Sequence, residues 1–164
     1  MQIGESFVGS GANAAHVNTV LGPRAGPVGA AFATALATPT HGHAPFVAVV
    51  RPGLPAKPFT LFVNKAELRG DEHARLTWGP AQAGVAGGVV DAVADGVILG
   101  HQVDDLVLIA AVWVDWDAAD ADEVYANNRN ATLGALRAGS NHEPALDEVM
   151  AARATPWNPF FHTG

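Results

Sequence analysis

The chain has 164 residues, 9 Lys and Arg against 16 Asp and Glu, a formal charge of -7 and no cysteine. That length suits one ordinary domain. The missing cysteine excludes disulfides, thiolate nucleophiles, zinc–thiolate sites and iron–sulfur clusters, and the negative balance disfavours nucleic acid and anionic membranes as partners.

Residues 2–9 alternate weakly through Ile3, Phe7 and Val8 and run into the turn-rich GSGAN. AAHVNTVLG then reads as a strand stopped by Gly22-Pro23, and PVGAAFATALA as a helix with Pro27 in its first turn. After the loop TPTHGHAP, FVAVVR is a strand of the buried type, closed by Pro52-Gly53. LPAKP is an extended connector because each proline fixes its own φ and biases the residue before it. FTLFVNKAEL follows as a strand antiparallel to FVAVVR, and Asp71 to Leu76 as a short helical turn. Pro80 opens a longer helix that Gly96 ends in the C′ position. LVLIAAVWVDW, the most hydrophobic stretch, is the predicted central strand. Asp117 or Asp120 caps a last long helix through about Leu136, closed by Gly139. The end of the chain, residues 154–164, is a proline- and aromatic-rich tail expected to dock on the body or on a neighbouring subunit. The order predicts a single α+β domain over residues 1–164, a two-layer mixed sheet with helices on one face.

Apolar residues make up 49% of the chain and charged ones only 15%, against about 25% charged in an average domain. Part of the surface is therefore expected to be buried against other subunits. No stretch reaches the ~20 apolar residues that span a bilayer, and MQIGESFVGS lacks the regions of a signal peptide, so the expected location is cytoplasmic.

The chemistry offered by the side chains is sparse. The serines at 6, 10 and 140 lie in no GxSxG elbow, and the GSG at 9–11 lacks a phosphate-loop lysine. His41-Gly42-His43 has the spacing of a metal-ligand pair, but no third ligand follows at a matching interval, so no metal is expected. His73, His101, His142 and His162 sit in polar or terminal segments and read as solvated. His16 differs: it lies within an apolar strand just after the glycine-rich turn, where it is either a silent core histidine or the lining of a pocket. Asn18 shares its face at the strand period. Lys65 is a lone cation near the end of an apolar strand, with Glu67 on the same face, and serves either a rim ion pair or a carbonyl-bearing ligand. Gln82, in the first turn of a helix, caps backbone groups or contacts a ligand.

Four strings together, VGSGANAAHVNTVLGPRAGP, HGHAPFVAVVRPGLPAKPFTLFVNKAEL, WGPAQAGVAGGVVDAVADG and DDLVLIAAVWVDWDAADADEVYANNRNATLGAL, are similar to the formaldehyde-activating enzymes. The resemblance runs from about Gly4 into the tail with almost no gaps. It implies a fold like the second domain of ribosomal protein S5, a homopentamer with pterin sites between subunits, and condensation of formaldehyde with tetrahydromethanopterin as co-substrate, with no permanently bound cofactor. His16 falls on the family's catalytic histidine, and Asn18, Val47, Lys65, Glu67 and Gln82 on its pterin-contacting positions. The pterin amine adds to formaldehyde unaided, but loss of hydroxide from the adduct is slow at neutral pH and calls for a general acid.

Lys65 and Gln82 are as the family has them, and Val47 stands where leucine is usual. Asn18 replaces an aspartate and Glu67 a threonine, so restoring both is predicted to raise activity with tetrahydromethanopterin. The same two departures leave open a divergent paralogue that binds another reduced pterin, a folate or a small carbonyl compound, with altered or no formaldehyde chemistry.

Overall fold

The computed structural model describes residues 1–161. Strands β1 (Gln2–Val8) and β2 (Ala15–Pro23) form an antiparallel hairpin, and α1 (Pro27–Ala37) follows. Next come β3 (Phe46–Val47), β4 (Val49–Arg51), β5 (Leu54–Pro55) and β6 (Phe59–Asn64). Helices α2 (Gly70–Leu76) and α3 (Gln82–Ala94) lead to β7 (Leu106–Trp113), and α4 (Ala121–Asn141) and α5 (Leu146–Ala151) complete the chain. The main sheet has the order β1-β2-β7-β6-β3, with β6 and β7 parallel and the other pairs antiparallel. The two-layer α+β arrangement read from the sequence is the observed one, and β7 holds the middle position its apolar run predicts.

Strand alternation decides what each face does. Ala15, Val17 and Leu21 of β2 and Leu108, Ala110 and Val112 of β7 are buried with Val85, Val89, Val124, Ala131 and Leu136 of α3 and α4. Those two helices form the helix layer, and their backbones come very close. A Cβ on Gly88 would stand 2.5 Å from the Arg129 carbonyl oxygen, and one on Gly84 2.5 Å from that of Tyr125. The intervening side chains of β2, among them His16, Asn18 and Val20, point to the opposite face. There α1 covers one end, with Val28 seated against Gly22.

Arg129 ties the two helices together at their rim. Its Nε and one terminal nitrogen donate to Asp91 at 2.6 and 2.8 Å, and the other terminal nitrogen donates to the Tyr125 hydroxyl at 3.1 Å. This hydrogen-bonded guanidinium holds the Asp91 carboxyl below its ordinary value. Because the folded value is the depressed one, the pair's contribution is whole above the unfolded carboxylate range of about pH 4. It is lost as pH falls through the lower folded value. With the Arg129 side chain 42% exposed, screening limits the contribution to about 1 kcal/mol. Arg129→Met is expected to lower neutral-pH stability by that amount in urea titrations, and the deficit should vanish in strong acid.

The structure differs from the sequence reading at several points, each with a local cause. FVAVVR breaks at Ala48 into β3, on the sheet, and β4, which pairs with β5 in a separate ribbon. Strand β6 stops at Asn64 rather than running on to Leu68, because the Asn64 side chain turns back to donate to the carbonyls of Gly42 and Ala66, both at 2.8 Å. The helical turn expected over Asp71–Leu76 is α2, and the helix expected to open at Pro80 continues from it without a break. A wide π-helical turn over Thr77–Ala81 admits the proline that a regular α-helix would reject. Asp120 is the N-cap of α4, accepting from the amides of Asp122 and Glu123.

Gly139 does not end α4 but lets it pass β1, where a Cβ would lie 3.2 Å from the Ile3 carbonyl group; the helix stops at His142, in the left-handed conformation. His73 is buried rather than solvated. Its Nδ1 accepts from the Arg69 amide and its Nε2 donates to the Val114 carbonyl, at 3.2 and 3.1 Å, which fixes α2 to the end of β7. His162 lies outside the described residues.

Candidate active site

The hairpin register sets Phe7 opposite His16 and Glu5 opposite Asn18, and the β2–β7 register sets His16 opposite Trp113. Phe7, His16 and Trp113 therefore stand in one row across three strands, on the face turned away from α3 and α4. Lys65 follows directly on β6, and its amide donates to the Val112 carbonyl at 2.8 Å, which keeps it beside the end of β7. Around this row lies a cavity of about 600 Å³ lined by Phe7, Gly11, Ala14, His16, Asn18, Lys65, Trp113 and Asp115, and by Asn158, Pro159 and Phe160 of the tail.

The His16 side chain is 41% exposed, and its Nε2 lies 2.9 Å from Glu5 Oε1. The Phe7 ring is tilted against the imidazole at 6.1 Å between centroids. Trp113 meets the edges of Trp116 and Phe160, at 5.4 and 6.2 Å. The short turn Gly11–Asn13 at the rim is pinned to the start of α4 by Asn13. The Asn13 Oδ1 accepts from the amides of Ala119 and Asp120, its Nδ2 donates to Glu123 at 2.6 Å, and its carbonyl accepts from Asn127 Nδ2 at 2.9 Å. The imidazole thus projects from the sheet beside an anchored loop, between Phe7 and Trp113 on the flanking strands and next to the polar pair Glu5 and Asn18 along them. Such a wall suits a flat heteroaromatic ligand with a few polar edges.

Of the six residues singled out in the sequence, the fold brings His16, Asn18 and Lys65 to this cavity and leaves three elsewhere. Val47 is in β3, opposite Leu61 of β6. Gln82 is buried, and its Nε2 donates to the Val49 carbonyl at 2.9 Å, tying α3 to β4. Glu67 does not pair with Lys65. With β6 ended at Asn64, the two-residue period no longer holds, and the Glu67 side chain lies across Gly42 with Oε1 3.8 Å from His41 Nε2. Its backbone is fixed by Trp116, whose Nε1 donates to the Glu67 carbonyl at 2.9 Å under the Arg69 guanidinium.

In the His41-Gly42-His43 turn, His43 commits Nδ1–H to the Asn64 carbonyl at 2.9 Å. Among the described residues no cluster of three or more His, Asp or Glu side chains could hold a metal ion, and no helix is long and apolar enough to cross a membrane. Sequence reasoning passed over Glu5, Trp113, Asp115 and Phe160. Glu5 and Phe7 share the strand period, which was a usable sign; the other three reach the cavity through long-range register and the course of the tail.

The family model for the formaldehyde-activating enzyme (Fae) matches residues 3–161. A 5,6,7,8-tetrahydromethanopterin hydro-lyase from Methanosarcina barkeri is 44% identical over 158 residues, which cover 96% of this chain and 89% of that protein. A bifunctional enzyme Fae/Hps from the same organism is 42% identical over 149 residues, covering 91% of this chain, and another from Archaeoglobus fulgidus is 37% identical over 159 residues, covering 97%. The chain spans 38% and 40% of the length of those two larger proteins. A match along nearly all of the chain, on a fold that gathers His16, Asn18 and Lys65 at one cavity, makes this protein a member of the formaldehyde-activating enzyme family.

Proposed function

We propose that this protein condenses formaldehyde with tetrahydromethanopterin to give the methylene derivative and water, with His16 as general acid. The observation that carries this reading is a single imidazole, 41% exposed, opening on a cavity of about 600 Å³ beside Asn18 and Lys65. The pterin amine adds to formaldehyde to form a hydroxymethyl amine. The imidazolium of His16 delivers a proton to the hydroxyl oxygen as the C–O bond breaks, and water leaves while the nitrogen lone pair forms the iminium. The second amine then closes on the iminium carbon and loses its own proton, which the neutral imidazole takes back. Protons balance over the cycle, and no resident metal or redox cofactor takes part.

Lys65 offers three N–H donors to the carbonyl edge of the pterin, and Asn18 two N–H donors and a carbonyl acceptor. The positions of Val47 and Gln82, away from His16 within one chain, support a site completed by a neighbouring copy in a homo-oligomer, expected to be a pentamer. Helix α1 supports the same reading: Ala30, Ala31, Ala33, Leu36 and Ala37 are exposed, and the helix carries no charged residue.

Stopped-flow consumption of formaldehyde with tetrahydromethanopterin, and separately with tetrahydrofolate, tests the reading. A rate well above the spontaneous background with tetrahydromethanopterin is the expected result. Background rates with both would refute it, and acceleration with tetrahydrofolate alone would favour the divergent paralogue. Asn18 lines the cavity at the position where the family has a carboxylate, whereas Glu67 lies away from it, so the gain expected from restoring the family residues narrows to one. Asn18→Asp should raise kcat/KM with tetrahydromethanopterin by roughly 3–10-fold, the value of one added charge-assisted hydrogen bond.

A further inference from the structure

The contact between Glu5 and His16 has a consequence for which ring nitrogen does the chemistry. A carboxylate accepts hydrogen bonds and does not donate them. At 2.9 Å between Nε2 and Glu5 Oε1, the hydrogen must therefore sit on Nε2. Among the described residues Nδ1 has no hydrogen-bond partner, so it is the nitrogen left to exchange a proton. The placement of Glu5 is built into the sheet: it stands in register with Asn18 along the β1–β2 hairpin. Its strand is pressed against α4 so closely that a Cβ on Gly4 would lie 1.7 Å from the Ala135 carbonyl oxygen. The Phe7 ring beside the imidazole, at 6.1 Å between centroids, does not choose between its two nitrogens.

We propose that Glu5 is a positioning residue for the condensation, holding His16 through Nε2–H so that Nδ1 is the atom that gives a proton to the departing hydroxyl and takes one back on ring closure. The proposal rests on the general-acid reading of His16 and adds to it the identity of the reacting nitrogen and the group that selects it. Glu5 does not act on the substrate in this scheme. Without it the ring can turn over, and once the proton has been given the two neutral tautomers interconvert, so that the basic nitrogen often faces away from the amine that must lose its proton. The loss appears in kcat, because the pterin contacts at Asn18 and Lys65 remain.

Glu5→Ala is expected to lower kcat by roughly 10–100-fold, the usual effect of removing a group that orients a catalytic or ligating imidazole, with KM for tetrahydromethanopterin changed by no more than about two-fold. Glu5→Gln retains an acceptor oxygen and is expected to lose less. Long-range proton–nitrogen correlation spectra of the His16 ring supply a readout independent of turnover: the Nε2–H form in the wild type, kept in Glu5→Gln, and a mixture of tautomers in Glu5→Ala. An unchanged kcat or an unchanged tautomer in Glu5→Ala would overturn the proposal. If Glu5→Ala does not fold, Glu5→Gln decides on its own, and loss of the Nε2–H form in that variant would overturn it equally. A crippled His16→Ala beside a fully active Glu5→Ala would remove only the role of Glu5, whereas a His16→Ala as fast as wild type would remove the reading beneath it.

Discussion

His16→Ala is expected to lower kcat/KM for the condensation by roughly 10²–10⁴-fold, the range over which a positioned proton donor normally acts, while leaving the fold intact. The imidazole stands on the open face of the sheet and is 41% exposed, whereas its neighbours in β2, Ala15 and Val17, are fully buried under the helices. Removing it opens no core cavity, so thermal unfolding should shift by no more than the ±0.5 kcal/mol typical of surface changes. Stopped-flow traces corrected for the uncatalysed reaction measure the loss, and circular dichroism monitors the fold. A rate equal to that of wild type in a folded variant would remove His16 from the mechanism.

The second large effect concerns stability. Gly88→Ala is expected to destabilise the protein by about 3 kcal/mol, since an overpacked core contact typically costs 1–3 kcal/mol and backbone yields less readily than side chains. The new Cβ would fall 2.5 Å from the Arg129 carbonyl oxygen and 2.8 Å from Thr132 Cβ. The gain in helix propensity, about 1 kcal/mol, is too small to offset that. For a chain of this size the Tm should fall by roughly 6–12 °C. Gly87→Ala is the control. One residue earlier in the same helix, its Cβ would come no closer than 3.3 Å to protein atoms, all three nearest belonging to the Arg129 side chain, which need give by only a few tenths of an ångström. Its Tm should stay near or above that of wild type. Equal losses in the two variants would show that the close approach of α3 and α4 is not what Gly88 provides.

Local chemistry carried a large part of this structure. The central place of β7 follows from an uninterrupted apolar run, α1 from Pro27 in its first turn, and the end of α3 from Gly96, which adopts φ +76°. What local chemistry could not supply was set by partners distant in sequence. The early stop of β6 depends on Asn64 finding the carbonyls of Gly42 and Ala66, and only the first of these lies in another part of the chain. That stop removes Glu67 from the face of Lys65. The burial of His73 depends on Val114 arriving at the end of β7. The passage of α4 through Gly139 depends on Ile3 lying alongside.

The site divides in the same way. His16 and Asn18 could be paired from the strand period alone, because one strand carries both. Trp113 joins them only when β2 and β7 are placed in register, with Asp115 two residues beyond it, and Glu5, whose strand period hinted at its face, meets His16 only once β1 pairs with β2. Val47 and Gln82 carry no local sign of a ligand in this chain, where Gln82 spends its amide on Val49; their assignment to the pterin rests on the family resemblance and on the proposed neighbouring copy.

Chemical rescue of His16→Ala addresses the proton transfer itself. The cavity that remains is large enough for free imidazole, and added imidazole should restore the condensation in a saturable way, with the rate following the protonated form across buffers of fixed ionic strength. Restoration that follows the neutral form instead would contradict a side chain that donates its proton as water leaves.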